Sequence, residues 1–118
     1  MRDFKSFTFW QDSVDLSAKI CILTRKFPVE ERYALGDQMR RASVSIVSNV
    51  AEGAGRSSDA DFAHFMDIAL GSAYEVEAQV YVANRLGYLN DEEKAQVLNT
   101  LCSIQRRLAA FVKKLRGL

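Results

Sequence analysis

Proline is almost missing from this chain: Pro28 is the only one in 118 residues, and six glycines are the remaining helix breakers. Proline removes a backbone donor and clashes with the preceding turn, so its scarcity leaves the segments on either side of Pro28 free to form helices of many turns. Histidine is equally scarce. Asp61 and His64 have the three-residue spacing used in di-iron bundles, but that chemistry needs a second such pair and further inward-facing glutamates, and His64 is the only histidine. Cys21 and Cys102 are the two cysteines, and both fall in apolar helical lines, where a reduced thiol buried as a small hydrophobe is expected and not a disulfide framework or a zinc site. No apolar run nears the ~20 residues of a membrane span, and the opening Met-Arg-Asp-Phe-Lys lacks the apolar core of a signal peptide. A cytoplasmic protein with no membrane partner is therefore expected. Composition does not shift along the chain, so residues 1–118 read as one domain.

What is present is helical periodicity. A first helix is expected from Thr8 to Lys26, with Trp10, Val14, Ala18 and Cys21 on one line, Leu16, Ile20, Leu23 and Phe27 on a second, and Pro28 ending it. A second helix ends at Gly53 or Gly55, where a left-handed cap suits glycine; residues 29–34 either begin it or form a separate turn. Ser58 with Asp61 opens a third helix carrying Phe62, Phe65, Ala69, Ala73, Val76, Val80 and Ala83, and Gly87 closes it. Asn90 with Glu93 opens a fourth, carrying Leu98, Leu101, Leu108, Phe111, Val112 and Leu115. Nothing reads as a strand. Short connections make consecutive helices antiparallel neighbours, so the expected fold is all-α, an antiparallel up-down-up-down four-helix bundle. Gly71, in a run of small residues inside helix three, costs about 1 kcal/mol relative to alanine; close approach of helix two near Ala42 and Ser45 is the expected compensation, with Gly71→Leu strongly destabilising.

Residues 38–56 carry three faces on one helix. Leu35, Met39, Ala42, Ile46 and Val50 form a core stripe at ~100° per residue. Gln38, Arg41, Ser45, Ser48, Asn49 and Glu52 form a polar line, readable as a solvated face or a hydrogen-bond ladder. Val44, Val47 and Ala51, with Arg40 beside them, form a third, apolar strip. Either the strip is tolerated surface apolarity or it packs on a neighbouring subunit.

Catalysis finds little support. Glu75 and Glu77 are two apart on a helix and point in different directions, unlike a paired acid and base. Gly53-Ala-Gly-Arg-Ser-Ser has no preceding strand and carries Asp59 and Asp61 just after it, where they would repel a phosphate. Ser45 has no histidine within reach in its own helix, and neither cysteine has an activating partner. No catalytic residue, cofactor or metal is expected.

Charge is partitioned under a net of only +1. Residues 1–41 hold eight basic and six acidic residues, residues 42–93 hold two and nine, and residues 94–118 hold six and none. Helices one and four are thus expected to make a basic side, and helix three an acidic one. Three uses follow: a surface for phosphates, cations that favour the end of helix four through its dipole, or an acidic helix of one subunit set against a basic face of the next.

The stretch Gln38-Met-Arg-Arg-Ala-Ser-Val-Ser-Ile-Val-Ser-Asn-Val-Ala-Glu-Gly, with Phe27-Pro28 and Tyr33-Ala34-Leu35 before it and Gly55-Arg56-Ser57 after it, resembles the signature of the bacterial 23S ribosomal RNA intervening-sequence proteins. Trp10, Asp61-Phe62, Gly71-Ser72 with Glu75 and Glu77, and Gly87-Tyr88-Leu89 agree with it over roughly residues 7 to 115. Val47 departs from a proline frequent in the family. The resemblance implies a four-helix bundle that assembles as a homopentamer, with no established biochemical activity. A related family, the accessory variability protein of diversity-generating retroelements, is a pentameric basic bundle that binds nucleic acid and a reverse transcriptase. Two functions follow as expectations. One is a homo-oligomeric accessory protein that contacts RNA or DNA phosphates through Lys5, Arg40, Arg106, Arg107, Lys113, Lys114 and Arg116. The alternative is a protein-interaction scaffold with no nucleic-acid binding. Gln38, Arg41, Ser45, Asn49, Glu52, Gly53 and Gly71 are read as the structural motif, and Val44, Val47 and Ala51 as the interface between subunits.

Overall fold

The computed structural model describes residues 2–118. After a 3-10 turn at Phe4–Ser6, four long helices and one short one follow: α1 (Thr8–Thr24), α2 (Val29–Arg32), α3 (Leu35–Ala54), α4 (Asp59–Arg85) and α5 (Asp91–Leu115), with no strand among the described residues. The long helices form a bundle in which α1 and α4 each pack against α3 and α5 and occupy opposite corners. The molecule measures 44 × 22 × 19 Å.

Local signals set the helix ends. Asn90 and Glu93 form a complete capping box: the Asn90 side chain accepts from the Glu93 amide at 2.7 Å, and the Asn90 amide donates to the Glu93 carboxylate at 3.0 Å. Ser58 caps α4 by accepting from the Asp61 amide at 3.1 Å. Gly87, at φ +81°, closes α4 in the left-handed conformation that glycine adopts without a Cβ penalty. Pro28 plays a different part from the expected one. Helix α1 has already ended at Thr24, and Pro28 instead starts the separate α2, its carbonyl accepting from the Glu31 and Arg32 amides. Its fixed φ suits a helix start, where the missing N–H is no loss.

The core is built from the stripe Met39, Ala42, Ile46 and Val50 of α3, the second line Leu16, Ile20, Leu23 and Phe27 near α1, the expected small-and-large line of α4 without the half-buried Phe65, and Val97, Leu101, Ile104 and Leu108 of α5. At one end Phe7, Phe9, Phe62 and Phe111 interlock, with ring centroids 5.1–6.3 Å apart. The other end is closed by Phe27 on Tyr88.

Two glycine expectations are corrected. Gly71 is exposed, and a Cβ there would meet nothing within 4 Å; helix α3 does not approach it, so Gly71→Leu loses its reason to destabilise the fold. The close approach lies at Gly53, where a Cβ would come within 2.8 Å of Phe65 Cβ and 2.9 Å of the Phe62 ring. Gly53 therefore sits inside α3 and lets α4 cross at short range. Gly55, at φ −83°, is right-handed, so the expected left-handed cap is missing from this end. The cysteines are less covered than expected. Cys21 is half-buried and Cys102 exposed, because the α1 line Trp10, Val14, Ala18 and Cys21 flanks the core and Cys102 sits on the solvent side of α5.

Candidate interaction surfaces

The polar line of α3 divides in two. Asn49 donates to the Ser45 carbonyl at 2.8 Å and to its hydroxyl at 3.0 Å, and Ser72 of α4 bonds the same hydroxyl at 2.8 Å, a short ladder across the α3/α4 seam. Gln38, Arg41 and Glu52 lie outside it. Arg41 is 81% exposed and meets only Asp37, at 3.3 Å, while Glu52 pairs with Arg56 at 3.0 Å. Arg40 and Arg41 thus exchange the roles the angular layout suggested. Arg40 is partly buried and donates to Thr24 Oγ1 at 3.0 Å and the Arg32 carbonyl at 2.6 Å, fastening α3 to the end of α1 and to α2. It is a structural residue, not a free phosphate contact.

Two more of the seven basic candidates are occupied within the chain. Arg107 donates to Asp12, to Thr8 Oγ1 at 3.1 Å and to the Ser103 carbonyl at 3.2 Å, joining α5 to α1. Arg116 pairs with Asp67 of α4 at 2.6 Å. Lys5, Arg106, Lys113 and Lys114 are exposed and make no ion pair among the described residues. Lys5 comes from the N-terminal turn and Lys113 and Lys114 from the last turn of α5, which the Phe7–Phe111 contact of 5.2 Å brings to one end of the bundle, and Arg106 lies about two turns before them on α5. The expected basic side of helices one and four is not uniform: a shallow groove of about 410 Å³ between α1 and α5 is lined by Asp12, Asp15, Asn99, Thr100 and Ser103.

The third strip of α3 is half covered by α1. The Trp10 indole donates to the Val47 carbonyl at 3.1 Å, and Ser17 bonds Ser43 at 3.2 Å in the buried seam. Val47 and Ala51 are half-buried in consequence, and Val44 remains exposed.

Sequence reasoning passed over a larger apolar surface on α4. Opposite the core line lie Ile68, Gly71, Ala78, Val82 and Leu86 at helical spacing, all exposed, with Tyr74 and Tyr81 beside them. A shallow groove of about 350 Å³ opens there between Tyr81, Val82, Arg85 and Leu86. Helix α4 thus carries apolar residues on its outer side as well as on its core side. Within this face Glu75 is exposed, and its carboxylate accepts from Gln79 Nε2 at 3.2 Å. Gln79 is only 8% exposed, and its Oε1 is buried without a hydrogen bond among the described residues.

The acidity of Glu93 is displaced. Its hydrogen bond from Lys26 and the bond from the Asn90 amide hold its carboxyl below the usual glutamate range, against a small opposing effect of burial. Among the described residues no His, Cys, Asp and Glu cluster could hold a metal, and no helix is long and apolar enough to cross a membrane.

The chain is similar to a solved structure, that of a protein with unknown function from the S23 ribosomal protein family of Bacteroides thetaiotaomicron VPI-5482. The two are 26% identical, with a TM-score of 0.83, over 90% of this chain and 99% of that one. No curated protein matches it. The sequence model of the 23S rRNA-intervening sequence proteins matches residues 5–110, nearly the whole of the bundle described above, and the chain belongs to that family.

Proposed function

We propose that this protein is a cytoplasmic, non-enzymatic accessory protein, a homo-oligomer and most simply a pentamer, that contacts nucleic-acid phosphates through Lys5, Arg106, Lys113 and Lys114. The observation that carries the reading is that Lys5, Lys113 and Lys114 stand exposed and without an ion pair where the N-terminal turn meets the last turn of α5, with Arg106 about two turns before them, although Arg107 and Arg116 of the same region are tied to Asp12 and Asp67. Symmetric assembly repeats such an end several times and strengthens its attraction for phosphates. A long antiparallel up-down-up-down arrangement supports this geometry. Arg107 of α5 meets Thr8 and Asp12 of early α1, Lys26 just after α1 meets Glu93 of early α5, and Gly53 of late α3 meets Phe62 and Phe65 of early α4. A role in binding and not catalysis is supported by Glu75 and Glu77, which engage different helices: Glu75 bonds Gln79 of its own helix, and Glu77 accepts from Gln105 of α5 at 2.8 Å.

The test is titration of a structured RNA and a DNA duplex at ~20 to 200 mM salt. Expected is an affinity that falls steeply with salt, and in which Lys113→Glu with Lys114→Glu flattens the slope, since each phosphate contact contributes close to one unit. No binding to either nucleic acid at the lowest salt overturns the reading. The second reading, a protein scaffold without nucleic-acid binding, is favoured by the exposed apolar face of α4 and gains from that result.

A further inference from the structure

We infer that the outer face of α4 is the socket for α1 of a second copy of this chain, with Arg25 of one copy seated on Glu75 of the next. The inference rests on the self-association proposed above and names the two surfaces that make it.

The two faces match in pattern. On α1, Val14, Ala18 and Ile22 form an outward line at four-residue spacing that ends at Arg25; Val14 and Ala18 are exposed, Ile22 is 58% exposed, and Arg25 is exposed with no side-chain partner among the described residues. On α4, the line begins at the exposed Glu75 and continues through Ala78, Val82 at 50% and Leu86 at 53% exposure. From Val14 to Arg25 and from Leu86 to Glu75 the sequence separation is the same, about 16 Å of helix at ~1.5 Å per residue. Laid against each other in opposite directions, the apolar positions meet along the whole length and the opposite charges meet at one end. Apolar lines of this kind left in water are a recurrent mark of a protein contact.

The polar end also fits a guanidinium. Gln79 donates to Glu75 at 3.2 Å and steadies its carboxylate. Arginine carries five N–H donors in a planar fork, enough to bond both oxygens of the exposed Glu75 carboxylate.

The position of the helices then limits the stoichiometry. Helices α1 and α4 stand at opposite corners of the bundle, each separated from the other by α3 and α5. Two copies cannot make both α1-on-α4 contacts at once, so the contact is heterologous and continues until it closes into a ring of three or more.

Light scattering on the full chain tests this, with wild type, Arg25→Glu, Glu75→Arg and the double swap, and circular dichroism to verify that each remains helical. Expected are a wild-type mass of at least three copies, dissociation constants raised at least ~10-fold in each single variant, and recovery of the assembly in the swap. Single variants that keep the wild-type mass, or a wild-type dimer, overturn this interface while leaving self-association standing. A wild type that stays at one copy overturns self-association itself, and one that grows only on adding RNA assigns the surface to nucleic acid and overturns the inference as well.

Discussion

Two glycines in the bundle make opposite demands on a side chain. At Gly53 a Cβ would fall 2.8 Å from Phe65 Cβ and 3.3 Å from the Phe62 carbonyl, and neither atom is the far end of a flexible side chain. Overpacking of this kind costs roughly 1–3 kcal/mol, more than the up to ~1 kcal/mol that alanine gains over glycine inside a helix. At Gly71 the added methyl meets open space, and only the gain remains. Gly53→Ala is therefore expected to lower, and Gly71→Ala to raise, the free energy of unfolding measured by urea titration; the reverse order would refute the packing seen at the α3/α4 crossing. In the sequence Gly53 reads as a helix end and Gly71 as the place of close approach, the reverse of what the packed helices require. Which one faces a neighbouring helix depends on the angular setting of α3 against α4, and this distinction is invisible before the helices are placed.

Helix ends were the most legible elements, because a cap is local chemistry. The pairs Ser58 with Asp61 and Asn90 with Glu93, and the lone Gly87, each mark an end within a few residues of the observed one. Pro28 was harder, since the same fixed φ both forbids continuation and favours initiation, and only the early end of α1 at Thr24 separates the two. Caps also link the elements to pH. The Glu93 carboxylate completes the α5 capping box and receives Lys26 from the end of α1, and its acidity is held below the ordinary glutamate range. A depressed carboxylate stabilises the fold while ionised and loses that contribution as acid protonates it, so the effect is full above the unfolded value of ~4.3 and fades below it. Glu93→Gln keeps an acceptor for the Asn90 amide and removes the charge. Thermal unfolding followed from pH ~6 to ~3 is expected to show a smaller loss in the variant than in wild type; equal losses would place the acid sensitivity elsewhere.

For the molecule as a whole, the binary pattern of the sequence was enough to give the helical bundle and its core, while the interaction surface was only half visible. The strip Val44, Val47 and Ala51 was found by periodicity, yet α1 covers much of it through Trp10 and Ser17, a contact that periodicity in one helix cannot report. The α4 face was missed because its exposed line is broken by Glu75 and flanked by Asp67, which makes it read as ordinary surface until the buried side is known. The free cations were equally beyond reach: Arg107 and Arg116 look as available as Arg106 and Lys113 until Asp12 and Asp67 arrive from other helices. If the copies assemble as proposed, folding and association are linked by mass action, and the unfolding temperature should climb as protein concentration rises from ~1 to ~100 µM. A temperature independent of concentration would mark a bundle that is stable on its own.

Trp10 is the only tryptophan of the chain. Its indole bonds the Val47 carbonyl, its ring meets Phe4 edge-on at 4.9 Å, and it is one helical turn from Val14, where the proposed docking line begins. Its fluorescence therefore has a single origin, at the α1/α3 seam. Emission colour and quenching by added iodide or acrylamide would follow the loosening of that seam and the arrival of a neighbour in real time, with no label attached to the protein.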